Sequence, residues 1–295
     1  MNQKTFLITG ATGQTGRHTT ALLLARGHRV RALVHRKDAR SEALKEQGAE
    51  IIIGDLLNFS DVQTALHGMD GAYFVFPIVP GIVQATAFFA QAAREARVDT
   101  IVNMSQRPDA KSHASLNHWI AERVFDWSGL GVTHLRPTLF AEWLLYFAAQ
   151  ISTDNVLRLP FHDNMSALIA AEDQAHVIAA ILAEPEPHRG RIYPLFGPVE
   201  LTFPEIVAEM SRTLGREIRY EPVERGTFAH MMRGGERGDY LAQHILEIAQ
   251  DFQNGVFLGT NDVVHTVGQR DPMTISEFVT RNAAVFEQHQ GVTRR

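Results

Sequence analysis

The chain has 295 residues, a formal net charge of −5 and no cysteine. Its length allows one large domain or two lobes, and its charge gives no electrostatic reason to expect nucleic acid or a membrane surface as a partner. The absence of cysteine excludes disulfides, thiolate metal sites and cysteine nucleophiles. No apolar run reaches the roughly 18 residues of a membrane-spanning helix. The first predicted strand leaves no room for a signal peptide, so we expect a cytoplasmic protein.

The beginning of the chain carries the most informative motif. A strand-like run at residues 4–9 leads into a glycine-rich turn at 10–16 and then into a helical pattern at 15–26. Dinucleotide binding requires this order, because the free N–H groups and the positive end of the helix face the phosphates. We therefore predict a pyrophosphate site at Gly10, Thr12, Gly13, Gln14, Thr15 and Gly16.

Short apolar strands alternate with amphipathic helices through the first half of the chain. The predicted strands are 4–9, 28–34, 50–53, 72–76, 99–104 and 131–135. The predicted helices are 15–26, 39–47, 60–67, 81–96 and 114–128. This alternation is typical of parallel βαβ units. It predicts an α/β fold, a Rossmann-type doubly wound parallel sheet with a smaller C-terminal substrate lobe.

The second half alternates less regularly. Its predicted helices are 171–183, 203–214, 239–252 and 273–288, and its predicted strands are 191–195 and 218–220. We expect a dinucleotide-binding domain at residues 1–150. The remainder, 151–295, is expected to form mostly the smaller lobe, with about residues 165–195 returning to the first domain.

The turn after the second strand bears on the choice of cofactor. NAD sites usually place a carboxylate there, about 20 residues after the glycines, but this turn reads His35-Arg36-Lys37 and reaches a carboxylate only at Asp38. Arginine and lysine attract a 2′-phosphate. The turn therefore predicts NADP(H) as the preferred cofactor, with NAD(H) as the second choice and a solvated basic turn as the alternative. Asp55, after the third strand, is expected either to contact the adenine or to cap its own turn.

Four groups of residues together resemble the NmrA-like type of atypical short-chain dehydrogenase/reductase. They are residues 9–16, 54–56, 102–105 and the segment 128–140. That family includes NADPH-dependent quinone reductases, triphenylmethane reductase, azoreductases and regulators that bind the dinucleotide without evident chemistry. Beyond the glycine turn, the resemblance implies cofactor contacts at His35, Arg36, Asp55, Leu56, Phe76, Pro77, Ser105, His118 and Pro137.

Typical short-chain dehydrogenases use a Tyr-x-x-x-Lys pair, which none of the five tyrosines of this chain begins. Alignment with the family places Ala114 where the tyrosine would stand and His118 where the lysine would stand. Reduction of a simple ketone needs a proton donor in the transition state, whereas a quinone, azo compound or cationic dye needs less help. The sequence therefore favours a reductase of small conjugated acceptors. The alternative is a dinucleotide-binding regulator or redox sensor without turnover.

The candidate catalytic residues are His118, Ser105 and His113. We expect His118 to bond the cofactor ribose and His113 to supply a proton near neutral pH. In the alternative interpretation His113 is an exposed residue at the start of a helix, and His118 pairs with Glu122 one turn further on. Arg136 is expected to bond loops around the site. No metal-binding spacing of histidines occurs, so we expect no metal.

Aromatic residues crowd the predicted substrate pocket, and a flat aromatic substrate would stack on them. The candidate substrate contacts are Phe140, Trp143 and Trp119. Trp143 is also expected to belong to the core, because it shares helical spacing with Phe147 and Ile151. No helix has an unambiguous apolar stripe left for a partner, so a monomer and a homodimer remain open.

Overall fold

The computed structural model describes residues 3–107, 113–232 and 238–287, without the side chains at positions 113, 114 and 238. Its strands are β1 (Thr5–Ile8), β2 (Arg29–Val34), β3 (Glu50–Ile53), β4 (Gly71–Phe74), β5 (Thr100–Met104), β6 (Gly131–Pro137), β7 (Val156–Leu159), β8 (Met165–Ser166), β9 (Ile192–Leu195), β10 (Leu201–Thr202) and β11 (Arg219–Pro222). Its helices are α1 (Gln14–Ala25), α2 (Ala39–Glu46), α3 (Phe59–Leu66), α4 (Ile82–Ala96), α5 (His113–Trp127), α6 (Trp143–Tyr146), α7 (Ala148–Asp154), α8 (Ala171–Ala183), α9 (Phe203–Leu214), α10 (Arg225–Met231), α11 (Gly238–Gln253), α12 (Val263–Thr266), α13 (Ile275–Arg281) and α14 (Ala283–Phe286).

Seven strands form a sheet in the order β3-β2-β1-β4-β5-β6-β9. Every strand pairing in this sheet is parallel. The strand order reverses between β1 and β4, and in doubly wound sheets the ligand crevice opens at the carboxyl end of the strands beside such a reversal. The predicted doubly wound parallel sheet is confirmed.

Helices cover both faces of this sheet. The central strands β1, β4 and β5 are buried along their whole length, as expected for parallel strands that have helices on both sides. On one face, Phe74 of β4 packs with Phe89 of α4 and Phe125 of α5 in the apolar core. On the other face, α1 and α8 pack against each other.

The predicted elements of the first half lie within two residues of the observed ones at every end. The second half contains short elements that the sequence analysis did not predict: β7, β8, β10, α6, α7, α10 and α12. The single helix predicted at 273–288 is wrong. Asn282 ends α13, and its side-chain amide donates to the carbonyl of Phe278 at 2.8 Å, which competes with continuation of the helix.

The chain divides into two compact units. The first unit holds the described residues within Met1–Pro137, Ala171–Leu195 and Asn261–Asp271, and the second holds those within Thr138–Ala170, Phe196–Thr260 and Pro272–Arg295. The division falls at Pro137, the end of β6, rather than at the predicted residue 150. The segment after β6 pairs inside the second unit, where the amide of Ala141 donates to the carbonyl of Ile169 at 2.9 Å.

An aromatic cluster forms the core of the second unit. The Phe161 ring stacks on Phe203 at 4.9 Å between ring centroids and meets Phe252 edge-on at 5.1 Å. Two strand pairs flank it, β8 with β10 and β7 with β11. In the described part of the chain, no helix combines the length and the apolar character that crossing a membrane requires.

Candidate cofactor and active site

The glycine-rich turn forms a tight loop between β1 and α1. Gly10 has a φ of 55°, and the amide of Gly13 donates to the Gly10 carbonyl at 2.8 Å. A Cβ at Gly10 would lie 2.6 Å from Cγ1 of Val75, and a Cβ at Gly16 would collide with the Gly10 carbonyl oxygen. A side chain at Gly16 would therefore displace backbone, and one at Gly10 would press on Val75 from a left-handed backbone conformation. The shape of the loop thus depends on glycine.

The first turn of α1 is open to a ligand. Gly13 is its N-cap, and no side chain caps the helix. N–H groups of the first turn therefore remain available to donate to an incoming anion. The side-chain oxygen of Gln14 is buried and has no hydrogen-bond partner among the described residues. Thr12 is half-buried and Gly13 is exposed. This backbone cradle fits the pyrophosphate of a dinucleotide.

The side chain of Thr15 points away from this cradle. Its hydroxyl forms a 2.8 Å hydrogen bond with the phenol of Tyr73 in β4, and burial raises the pKa of that phenol well above its usual value. Thr9 joins β1 to the segment after β4, because its hydroxyl accepts from the Val75 amide at 2.8 Å. Thr15 is therefore expected to bind a phosphate only through its backbone N–H group.

The end of β2 presents cations and no free carboxylate. His35, Arg36 and Lys37 are exposed, and within the described ranges none of them forms an ion pair. Asp38 caps α2 by accepting from the amides of Arg40 and Ser41, at 3.0 and 3.1 Å. The Arg40 side chain and then the Ser41 amide lower the pKa of Asp38. The first carboxylate after β2 is thus already engaged within its own helix.

The ends of β3 and β4 carry the next predicted contacts. Asp55 accepts from the Leu57 amide at 2.8 Å, so its carboxylate caps its own turn, which was one of the two predicted roles. Its contact with an adenine stays a prediction. Leu56 is half-buried, Phe76 is buried in the core and Pro77 is exposed.

Beneath the ends of β5 and β6 lies an ion pair that the sequence analysis missed. Glu122 of α5 is fully buried, and Arg136 of β6 donates to both of its oxygens, at 2.9 and 2.5 Å. Burial by itself would raise the pKa of Glu122, but Arg136, Ser105 and His134 together hold it below its usual value. Arg136 therefore binds α5 rather than the surrounding loops. Sequence spacing gave no signal for a contact between a helix and a strand.

A second polar group lies one helical turn further along α5. The side-chain amide of Asn103 donates to Nδ1 of the buried His134 at 2.9 Å, and Nε2 of His134 lies 3.1 Å from Asp126. Because Nδ1 accepts, the ring proton of the neutral histidine sits on Nε2 and faces Asp126. Burial lowers the pKa of His134 despite Glu122 and Asp126. Asn103, His134 and Asp126 thus join β5, β6 and α5.

Ser105 stands at the carboxyl end of β5, two residues beyond Asn103. Its amide donates to the carbonyl of Leu135 at 2.8 Å. Its hydroxyl oxygen is buried and has no hydrogen-bond partner of standard geometry among the described residues. A buried polar atom of this kind normally finds a partner, so a ligand group is the natural candidate.

The remaining predicted residues of the first unit lie on α5 and at the end of β6. His118 is half-buried, and the side chain of His113 lies outside the described part of the structure. Trp119 is 45% exposed, with the guanidinium of Arg123 at 5.9 Å from its ring centre. Pro137 is buried at the end of β6. The structure brings Ser105 and Pro137 to the carboxyl end of adjacent strands.

The two other predicted substrate contacts belong to the second unit. Phe140 is half-buried and pairs with Ile169 through a β-bridge. Trp143 packs on Phe161 with ring centres 5.8 Å apart, which favours the core role for this residue. Within residues 3–107, 113–232 and 238–287, no group of histidine and carboxylate side chains has the arrangement of a metal site.

Three comparisons relate this geometry to known proteins. The model of the NmrA-like family matches residues 2–279. An NAD(P)H azoreductase of Xenophilus azovorans is 30% identical over 285 residues, which cover 95% of this chain and 98% of that protein. The NADPH-dependent quinone oxidoreductase of Escherichia coli, solved with NADPH, has a TM-score of 0.81 at 22% identity and covers 94% and 99% of the two chains. NmrA, a negative transcriptional regulator solved with NADP, has a TM-score of 0.82 at 19% identity and covers 99% of each chain.

Proposed function

The chain belongs to the NmrA-like family, and on this premise we propose that it is an NADPH-dependent reductase of small conjugated acceptors such as quinones, azo compounds or similar dyes. The observation that carries the proposal is the open backbone cradle at the N-terminus of α1. The relatives named azoreductase and quinone oxidoreductase support the same reaction class. When bound, NADPH supplies the hydride, and one proton completes the reduction of a quinone or an azo bond.

The preference for NADPH is supported by the end of β2. Arg36 and Lys37 stand free of ion pairs there in the described structure, and Asp38 is engaged in capping α2. A 2′-phosphate thus meets cations and no competing carboxylate. In the proposed complex Arg36 binds that phosphate, and the backbone of residues 10–16 holds the pyrophosphate.

The class of acceptor follows from the missing Tyr-x-x-x-Lys pair. A quinone accepts hydride to give a stabilised anion, so it needs no strong acid beside it, whereas a simple ketone does. The protein's contribution is then to orient the nicotinamide and the acceptor. In this proposal Ser105, His118 and Phe140 bound the reaction site, and Trp119 is a further aromatic contact of the acceptor.

The test is NADPH oxidation against a panel of quinones, azo dyes, cationic dyes and simple ketones, followed by the absorbance of the reduced nicotinamide. Turnover with conjugated acceptors but not with ketones is the expected result. NADH measured in parallel is expected to be the poorer donor. Turnover of simple ketones at comparable rates would overturn the argument from the missing pair.

A second candidate is a regulator that binds the dinucleotide without turnover. The missing Tyr-x-x-x-Lys pair favours it, because the sequence then lacks the usual proton donor of the wider family. Tight NADPH binding without turnover on the whole panel would favour this candidate. A partner protein whose binding depends on the oxidation state of the cofactor would establish it.

A further inference from the structure

A cleft at the amino edge of the sheet in the first unit takes no part in the proposed reaction. It has a volume of about 520 Å³ and lies between the ends of α4 and α5 and the starts of β5 and β6. Small-molecule sites commonly have volumes of about 300–1,000 Å³. The five residues of β5 separate this edge from the carboxyl edge by about 16 Å. The cleft and the glycine cradle are therefore at opposite ends of the strands.

Trp127, the last residue of α5, forms one wall of the cleft. Its side chain is 78% exposed, the highest value for a large hydrophobic residue in the part of the chain that the structure describes. Among those residues no other ring and no guanidinium packs on its indole. Gly129 also lines the cleft, and a Cβ there would meet nothing within 4 Å. An indole face beside open space suits a flat ligand, because ring stacking adds to the gain from burial.

Two arginines at the end of α4 line the same cleft, and both are exposed. Arg94 donates to the carbonyl of Ser128 at 2.9 Å, and Arg97 is the C-cap of α4. Neither arginine forms an ion pair with a described carboxylate. Asp99, the acid in the lining, is paired with Arg189 at 3.0 Å. The cleft therefore carries an excess of positive charge.

The neighbouring carboxylates of α4 and α5 are engaged elsewhere. Glu95 accepts from the side-chain amides of Gln63 and Gln91, at 2.7 and 2.8 Å. Asp126 is paired with Arg123 at 2.8 Å. Because the whole chain has a net charge of −5, two unbalanced arginines in one cleft run against its average charge. Cations near a helix C-terminus also complement the helix dipole, but that role does not account for an exposed tryptophan beside them.

We propose that this cleft is a second binding site, which takes a small aromatic anion. The ring of the ligand stacks on Trp127, and its carboxylate, sulfonate or phosphate group is held by Arg94 and Arg97. Guanidinium groups suit this task, because their planar N–H donors match the oxygens of such anions. The inference goes beyond the proposed reductase activity and does not rest on it, since none of these residues belongs to the proposed cofactor or reaction site.

The test is a titration with naphthalene-2-sulfonate, with and without NADP, followed by the NMR signal of the Trp127 indole N–H. The signal is assigned by its loss in Trp127→Phe. We expect a saturable shift with a Kd of about 1 mM or below, as is usual for so small a ligand. Two probes separate the parts of the ligand. Methanesulfonate lacks the ring and 2-naphthyltrimethylammonium carries the opposite charge, so neither is expected to give a saturable shift in this range.

Two variants test the proposed contacts by calorimetry. Trp127→Ala is expected to weaken naphthalene-2-sulfonate binding about tenfold, because the stacking face is lost. Arg97→Gln is expected to weaken it about three- to fivefold, the effect of an exposed ion pair. Both side chains are exposed, so we expect both variants to fold, which thermal unfolding checks. Arg123→Gln is the matched control, because it removes a charge from α5 outside the cleft, and it is expected to change the Kd less than about twofold.

Three outcomes would overturn the inference. Sulfonate binding that both Trp127→Ala and Arg97→Gln leave unchanged would place the ligand at another site, such as the reaction site. Equal binding of the sulfonate and the trimethylammonium compound would remove the role of the arginines. A dimer that depends on Trp127 and excludes the sulfonate, detected by sedimentation, would assign this face to a second copy of the chain. Absence of NADPH turnover would instead overturn the proposed function and leave this inference standing.

Discussion

At the junction of β1 and α1 the proposed ligand contacts are backbone N–H groups. The junction of β5, β6 and α5 is instead held together by side chains from three elements. The first junction depends on the absence of side chains at Gly10 and Gly16. The second depends on a buried ion pair between Glu122 and Arg136. The same edge of one sheet is therefore built in two ways, which differ in what a substitution removes.

The two junctions are expected to respond differently to a substitution. A backbone cradle fails when a side chain intrudes, and binding is then lost while the rest of the core remains packed. A buried ion pair fails when one partner is removed, because the remaining charge is left without compensation. Binding measurements therefore report on the first junction, and unfolding measurements report on the second.

The largest expected effect is at Glu122. Glu122→Gln is expected to lower the free energy of unfolding by about 3–5 kcal/mol, because it leaves Arg136 partly buried and unpaired. Denaturant unfolding measures this. The double variant Glu122→Leu with Arg136→Met is expected to recover most of the loss. Glu50→Gln, in the surface pair with Arg31, is the control and is expected to cost at most about 1 kcal/mol. Equal losses at Glu122 and Glu50 would contradict the contrast between the junctions.

The next effect is at Arg36, which follows β2 and is proposed to bind the 2′-phosphate of the cofactor. Arg36→Ala is expected to weaken NADPH binding by about 1.5–3 kcal/mol, the energy of a hydrogen bond between charged groups, and to leave NADH binding nearly unchanged. Titration of both cofactors by fluorescence checks this. Arg26→Ala, at the other end of α1, is the matched control. Equal weakening of NADPH and NADH would contradict the proposed selectivity.

A comparable or smaller effect is expected at Gly16. Gly16→Ala places a Cβ against the Gly10 carbonyl. Overpacking of this kind lowers the free energy of unfolding by about 1–3 kcal/mol and shifts the backbone. We expect a loss of affinity for NADPH and NADH alike, measured by calorimetry. Gly226→Ala makes the same change where a Cβ meets nothing within 4 Å. Unchanged affinity in the Gly16 variant would show that the loop does not act as the cradle.

The smallest effect is at Thr15, whose side chain faces the interior. Thr15→Val removes the hydrogen bond to Tyr73 and is expected to cost about 1 kcal/mol of stability, with NADPH affinity within about threefold of wild type. Thr20→Val on the same helix is the matched control, because the buried Thr20 hydroxyl has no partner among the described residues. A large loss of affinity in the Thr15 variant would mean that its hydroxyl, not its backbone, faces the phosphate.

Much of the first unit was predictable because its signals are local. The strand, turn and helix at residues 4–26 follow one another without interruption. Gly13 and Gly16 are constrained by the backbone of Gly10, and only Gly10 meets a distant residue, Val75 after β4. The capping role of Asp55 was among the predicted alternatives for the same reason, since its partner Leu57 is two residues away.

The short elements of the second unit were less predictable. β7, β8 and β10 have two to four residues each, too few to show a period in the hydrophobic pattern. The break at Asn282 also has no clear signal in the pattern, because the apolar spacing continues across it. Tertiary packing therefore decides where these short strands form and where α13 ends.

The sequence by itself determined the parallel sheet, the glycine cradle and the basic turn after β2, because each depends on neighbouring residues and on hydrophobic periodicity. Only the tertiary structure decided the partners of the charged and polar groups. Arg136 meets Glu122 fourteen positions away and His134 meets Asn103 thirty-one positions away, since helix and strand must first pack. A polar group at the end of a strand finds its partner only when the sheet and its covering helix are in place.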